Sequence, residues 1–473
     1  MTLHIPFDNS YAMLPQGFFS RVNPTPVRAP RLIQFNEALA SELGITTGTQ
    51  DEMTQAFSGN QVIDGSTPLA QAYAGHQFGG FSAQLGDGRA HLLGEVIDHQ
   101  GQRRDIQLKG SGPTPFSRRG DGRAWLGPVL REYVVSEAMH ALGIPTTRAL
   151  AAVTTGEHVY REQGALPGAV LTRVAASHLR VGTFQFFAAR RDIDALNTLA
   201  NYSISRHYPE CETPSDLLRA VIDRQAQLIA RWMSVGFIHG VMNTDNTAVS
   251  GQTIDYGPCA FIDQYHPATV FSSIDAQGRY AYDNQQNIIV WNMAQFATSL
   301  VPIMPDQDAA IKDFTAAVHA MPALIETCWL KAFGQKIGIR DAKPEDRKLI
   351  TDLLDLMQAG QSDFTNAFRA LPTDAARDQF TNRDDFDVWS VRWKARLASE
   401  TSPPDLMNSV NPAYIPRNHR IEQMIASAVA GDFGPFERLL SILSSPFEQQ
   451  TGADDLTHPP EPGEVVQQTF CGT

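Results

Sequence analysis

The sequence predicts an α+β protein of two lobes. A small antiparallel sheet with one helix comes first, then a larger, mostly helical lobe that runs on into a helical C-terminal extension. Three observations predict this. Between residues 81 and 108 apolar and polar residues alternate at the period of half-buried strands. Beyond residue 180 the apolar spacing becomes that of amphipathic helices. The first long helix of that second part feeds a polar loop containing Asn243, Asp245 and Asn246.

Taken in order, residues 1–60 form an N-terminal extension, proline-rich at Pro24, Pro26 and Pro30 and then helical over 32–43, with Gly44 as the stop. Residues 61–165 form the first lobe. Its strands are predicted at 81–85, 90–97 and 103–108, with turns at Gly86-Asp87-Gly88 and at 98–101. Residues 110–123 are too rich in Gly, Ser and Arg to be anything but a loop. A helix follows over 127–142, with Pro128 in its first turn and Gly143 at its end, and strands at 149–154 and 168–174 complete the sheet. Residues 166–345 form the second lobe. A helix over 214–235 leads into the loop 239–246 and a predicted hairpin, 247–250 and 253–256, turning at Gly251. Further helices are predicted at 287–300, 308–333 and 421–443. The segment 346–473 reads as a helical extension with an irregular tail from residue 449 onward. No internal repeat is present. This order of elements is that of the protein-kinase-like fold.

Composition narrows the function classes. In 473 residues, 42% are apolar and 19% charged, which excludes a disordered, collagenous or coiled-coil chain. The net charge of −13 repels phosphate backbones, so nucleic acid is not an expected partner. No apolar run approaches the roughly 18 residues of a membrane helix, so no membrane partner is expected either. The N-terminus lacks the basic and apolar regions of a signal peptide. The cysteines Cys211, Cys259, Cys328 and Cys471 are dispersed, without metal-ligand pairing. The reading is a soluble, cytoplasmic protein.

Chemistry enters through one lysine. Lys109 is the only Lys before Lys312, in a chain that otherwise uses Arg there. It ends the third predicted strand, where a kinase-like sheet places the lysine that holds a nucleotide phosphate. Its partner would be Glu132 or Glu137 on the next helix. Five helical residues turn through about 500°, so only one of them faces inward. Glu132, beside the apolar ridge Leu130, Val134 and Ala138, is favoured over Glu137. Gly86 and Gly88 would let backbone approach phosphate oxygens, with Arg89 as a planar donor fork. Arg173 and Arg180, and Arg118 and Arg119 in the loop, are candidate triphosphate clamps.

The sharpest cluster is His239-Gly-Val-Met-Asn-Thr-Asp245-Asn246, followed by Asp255-Tyr256-Gly257. Asp245 sits where a carboxylate can accept a hydroxyl proton. Asn246 and Asp255 offer oxygen ligands for one hard cation, and Asp255-Tyr-Gly stands where kinases carry Asp-Phe-Gly. His239 reads as a hydrogen-bonded structural residue.

The stretches QLGDGRAHLLGE, DIQLKGSGPTPFSRRGDGRA, LREYVVSEAMHALGIPTTRAL, HGVMNTDN and TIDYGP closely resemble the selenoprotein O family, also called YdiU. The resemblance continues through GRYAYDNQQNIIVWNMAQFA and NPAYIPRNHRIEQ to a Cys near the C-terminus. It implies a kinase-like protein that binds ATP end for end. AMP would pass to Ser, Thr or Tyr hydroxyls of proteins, the enzyme itself included, and pyrophosphate would leave; UTP is a second possible donor. The resemblance further implies that Gly86, Gly88, Arg89, Lys109, Asp121, Gly122, Arg173, Arg180 and Asp255 contact the nucleotide. Asn246 and Asp255 would hold Mg2+ or Mn2+, Asp245 would accept the proton, and Glu132 would pair with Lys109. In true kinases the catalytic Asp and metal-binding Asn are several residues apart, whereas Asp245 and Asn246 are adjacent. A phosphotransferase moving the γ-phosphate would use the same residues, and a silent nucleotide-binding scaffold is the third reading. Some bacterial relatives link the C-terminal Cys to a cysteine after the Asp-Tyr-Gly motif. The matching stretch here carries Ser272 and Ser273, so Cys471 lacks that partner and Cys259 is the remaining candidate.

Overall fold

A computed structural model describes residues 2–162 and 164–470. The first part is a twisted antiparallel sheet. Its strands are β1 (Phe19–Arg21), β2 (Arg31–Phe35), β3 (Leu69–Gln71), β6 (Ala90–Ile97), β7 (Arg103–Lys109), β9 (Arg148–Arg161) and β10 (Gly164–Ala175), in the order β1-β3-β6-β7-β10-β9-β2. The short β8 (Ala124–Trp125) pairs β10, and β4 (Gly75–Gln77) and β5 (Gly80–Ser82) form a separate hairpin. The helices α1 (Glu37–Glu42), α2 (Gln50–Ser58) and α3 (Leu126–Ala141) belong to this part.

Strand periodicity gives the sheet two different faces. Ile106 and Leu108 of β7 point to one side, with Val96, Val170 and Val174, against Leu39 of α1 and Phe57 of α2. Asp105, Gln107 and Lys109 point to the other. There Gln107 lies opposite Arg173 of β10 in the strand register. On that second side Leu92 and Leu171 share a core with Leu130 and Val134 of α3, and this core runs on into the helices that follow.

Those are α4 (Val181–Arg190), α5 (Ile193–His207), α6 (Pro214–Ser234), α7 (Gln285–Leu300), α8 (Gln307–Lys336), α9 (Arg347–Gly360), α10 (Phe364–Ala370), α11 (Arg383–Leu397), α12 (Pro403–Val410), α13 (Asn418–Val429) and α14 (Gly434–Leu443). The α6 helix starts on a capping box, Thr213 with Asp216, and carries Pro214 in its first turn. Its end delivers the chain to the strand β11 (Phe237–Ile238), which pairs β12 (Ala260–Phe261). Everything between β11 and β12 therefore forms one loop system held at its base.

Several sequence expectations are corrected. The helix expected over 32–43 is strand β2 followed by the short α1, because Leu32 and Phe35 pair with Val153 and Ala151 of β9. The strand expected over 81–85 is only β5. Gly86-Asp87-Gly88 does not join two strands; instead Leu85 N–H and Asp87 N–H donate to Tyr73 O (2.9 Å) and Gln71 O (3.0 Å). No hairpin forms over 247–256. The segment is mostly buried and makes only single bridges, from Ala248 to Arg180 and from Thr253 to Thr146. The helix expected over 421–443 is two, α13 and α14, broken where Gly431 takes φ +96°. The boundary drawn at 165/166 falls inside the sheet, because β10 is one of its central strands.

Candidate active site

The face of β7 and β10 that carries Lys109 and Arg173, the loop 85–90, the loop 110–123 and the β11–β12 loop system enclose a cleft of about 620 Å³. Of the residues singled out from sequence, Gly86, Gly88, Arg89, Lys109, Asp121, Gly122, Arg173, Arg180, Asp245, Asn246 and Asp255 all line it. Glu132 lies directly behind, in contact with Lys109 and Arg173.

Lys109 is held from two sides. Its Nζ donates to Glu132 Oε2 (2.5 Å) and also to Asp255 Oδ1. Arg173 Nη1 meets the other Glu132 oxygen at 3.2 Å, and Arg173 Nη2 donates to Gln107 Oε1 at 2.6 Å. One buried carboxylate thus sets the height and direction of two cations on neighbouring strands. The helical phase separates the two glutamates as expected. Glu137 turns away to Arg148, at 2.9 and 2.8 Å, and to the Asn36 side chain at the start of α1.

The network continues outward. Gln107 Nε2 donates to Asp87 Oδ2 (3.1 Å), and Arg180 approaches Asp87 Oδ1 at 3.4 Å with its guanidinium 4.2 Å over the Tyr73 ring. Asp87, Gln107 and Tyr73 were missed as site residues. Asp87 lay inside a motif from which only the two glycines were read as phosphate contacts, and nothing in the sequence pairs Gln107 or Tyr73 with an arginine. The two glycines have a further reason to be glycine. A Cβ on Gly86, whose φ is +89°, would sit 2.4 Å from the Phe116 ring, and one on Gly88 would sit 3.0 Å from Phe116 O. The loop 110–123 thus packs down on the 86–88 backbone. Gly122 is required too, since its Cβ would meet Gly112 backbone at 2.1 Å. Asp121 spends both oxygens on Arg161, at 2.8 and 3.2 Å. Arg118 lines the cleft and Arg119 is exposed beside it, both with left-handed backbone (φ 47° and 73°).

Opposite this cationic wall lies the short 3-10 turn Thr244–Asn246. Asp245 is 8% exposed. Its Oδ2 accepts from Gln77 Nε2 (3.1 Å), while Oδ1 is buried without a hydrogen-bond partner. Burial pushes its carboxyl up to about 6, against the lowering effect of the Gln77 hydrogen bond and the Arg180 charge. Asp255 behaves oppositely. Burial alone would raise it, but Lys109, Arg173 and Arg89 together hold it well below the usual carboxylate range. Asp255 also takes φ +66°, an uncommon backbone for a non-glycine residue and one that recurs at functional sites.

The donor set suits a small divalent cation. Asp255 is kept ionised, and Asn246 commits its Nδ2 to Val241 O (3.1 Å), which orients the amide. One carboxylate and one carboxamide match a cation that keeps several waters and shares substrate phosphates. No group of three or more His, Cys, Asp or Glu able to hold a metal occurs among the described residues. His239 is structural: buried, with its Nε2 2.9 Å from Ile254 O and its pKa lowered by burial.

The tail reaches the segment after Asp255-Tyr-Gly. Thr469 N–H donates to Phe271 O (2.7 Å), Ser273 N–H to Thr469 O (3.0 Å), and Thr469 Oγ1 to Pro258 O (2.5 Å). Cys259 is fully buried, and burial pushes its thiol up to about 12. Cys471 lies outside the described residues, and so does any pairing with Cys259.

A cleft with a phosphate-sized cationic wall, a carboxylate of raised proton affinity and a low-pKa carboxylate between them is suited to transfer of a phosphorus-centred group to a hydroxyl. Comparisons with known proteins agree. The family described as "Protein adenylyltransferase SelO" matches residues 1–444. A protein of Ruegeria sp. (strain TM1040) named "Protein nucleotidyltransferase YdiU" is 63% identical over 473 residues, covering 100% of both chains. Proteins of the same name from Roseobacter denitrificans and Ruegeria pomeroyi are 62% and 61% identical, again over 100% of both chains.

Proposed function

The chain belongs to the SelO family of protein adenylyltransferases, and from that premise we propose how its cleft moves AMP from ATP to Ser, Thr or Tyr hydroxyls of proteins, itself included. The observation that carries the reading is the placement of Asp245: a carboxylate lining the cleft opposite a wall of cations, with burial raising its proton affinity.

ATP binds end for end, its terminal phosphates against Lys109, Arg173, Arg180 and Arg89 and its α-phosphate toward Asp245. The glycines at 86, 88 and 122 let the surrounding loops close on it, with Asp121 anchoring the loop 110–123. Asp245 accepts the proton of the acceptor hydroxyl as its oxygen attacks the α-phosphorus. The bond from the α-phosphorus to the bridging oxygen breaks, and pyrophosphate carries that electron pair away. Lys109 and Arg173, already aimed by Glu132, face the charge that grows on the leaving group without reorganising. Asn246 and Asp255 would hold Mg2+ or Mn2+, which when bound supplies positive charge to the phosphate oxygens. The same residues would serve UTP as donor. The order of sheet, lysine, helical glutamate, Asp245 loop and Asp255-Tyr-Gly supports a kinase-like relation of the two parts.

No helix among the described residues is long and apolar enough to cross a membrane. With the acidic net charge and dispersed cysteines, this supports a cytoplasmic enzyme acting on proteins, not on nucleic acid. The test uses ATP labelled at the α or the γ position, with Mg2+ or Mn2+ and protein acceptors. Label kept on protein from the α position alone is expected. Label kept from the γ position alone establishes phosphotransfer and overturns the reading.

A further inference from the structure

We propose that Gln77, at the end of β4, is a positioning residue for the transfer reaction: it fixes the plane of the Asp245 carboxylate at the cleft. The inference rests on the reading of Asp245 as proton acceptor.

The terminal torsion of an aspartate is broad and roughly two-fold, so the backbone of the loop does not fix the carboxylate plane. Gln77 does. Its Nε2 donates to Asp245 Oδ2 at 3.1 Å, which turns the other oxygen, Oδ1, into the buried space against Gly75. Gln77 itself lines the cleft.

The β4–β5 hairpin is built to hold that contact. Its backbone is fastened to the Asp245 loop on both sides of Gln77: His76 N–H donates to Thr244 Oγ1 (2.7 Å) and Phe78 N–H to Asn243 Oδ1 (3.0 Å). Each acceptor is itself fixed, Thr244 Oγ1 by donating to Gln185 Oε1 (2.6 Å) and Asn243 Oδ1 by accepting from Tyr280 OH (2.6 Å). Phe78 takes φ +51°, a conformation a bulky side chain seldom adopts, at the tip that brings Gln77 round. Gly75 passes so close that a Cβ there would lie 2.9 Å from Asp245 Oδ1 and 3.0 Å from its Cβ. Only glycine allows strand and carboxylate this approach. The hairpin and the Asp245 turn lie 168 residues apart in sequence, yet interlock through three adjacent residues on each.

The test compares Gln77→Leu and Gln77→Ala with the unaltered full-length chain, measuring transfer from α-labelled ATP to protein, KM for ATP and the thermal midpoint. Loss of one hydrogen bond to a charged group predicts a fall in kcat of about tenfold or more, with KM for ATP and the midpoint little changed. A kcat at the original level in both variants overturns the inference. So does a raised KM with kcat intact, which makes Gln77 a nucleotide contact. Asp245→Asn separates the two layers. Full transfer by that variant overturns the proposed function itself, whereas loss of transfer there with fully active Gln77 variants overturns only the role of Gln77.

Discussion

Replacing Glu132 by Gln changes one atom in a buried side chain and removes the charge that competes with Asp255 for Lys109. Lys109 is shared: 2.5 Å from Glu132 and bonded also to Asp255. Arg173 also donates to Gln107, at 2.6 Å, a contact that does not involve the side chain at 132. In Glu132→Gln the ammonium leans wholly on Asp255, the carboxylate assigned to the divalent cation. A hydrogen bond between charged groups is worth about 1.5–3 kcal/mol, so competition of that size weakens apparent cation affinity by about ten- to a hundredfold. The measurement is a Mn2+ titration of pyrophosphate release, with direct Mn2+ binding followed by electron paramagnetic resonance. Both midpoints are expected to move to higher Mn2+ together. The thermal midpoint is expected to fall only modestly, because both cations keep a partner. A Mn2+ midpoint equal to that of the unaltered chain in both measurements would refute the view that Glu132 acts by sharing Lys109.

Asp255→Ala should abolish cation-dependent transfer, and Lys109→Ala should weaken productive nucleotide placement while leaving the sheet intact; near-normal label incorporation by either contradicts its role. Lys336 offers a prediction about stability. It is fully buried beside Phe368 (4.1 Å) and Phe364 (5.2 Å) and donates to Asn411 Oδ1 at 2.9 Å; burial lowers its pKa to about 7. Between that value and the ordinary lysine value of about 10.4 the unfolded chain binds a proton that the folded chain does not. Stability therefore rises with pH across this window, with a limiting slope of about 1.4 kcal/mol per pH unit from this group. Lys336→Met should remove that share of the slope in denaturant unfolding measured from pH 7 to pH 10, and parallel curves for the two proteins would contradict it.

Local chemistry was readable in the sequence where one residue type stood out or one helical phase decided the matter. Lys109 was the single lysine of its region, and the 500° of turn separated Glu132 from Glu137. The adjacency of Asp245 and Asn246 to a long apolar helix marked the loop. What the sequence did not carry was long-range. Leu32 and Ile33 fit a helix face as well as a strand, and only pairing with β9 decides between them. The segment 247–256 is held against α6 and α7, whose Trp232 and Asn292 side chains reach Thr253 and Thr247, and not by strand pairing. Gln77, Asp87 and Gln107 are ordinary polar residues in sequence, and become site residues only through partners 168, 93 and 66 positions away.

The orientation of the nucleotide decides the account. A crystal structure with a nonhydrolysable ATP analogue and Mg2+ should show the terminal phosphate among Lys109, Arg173 and Arg180, and the α-phosphorus nearest the Asp245 carboxylate. A terminal phosphate aligned with Asp245, and the base turned toward the arginines, would contradict it.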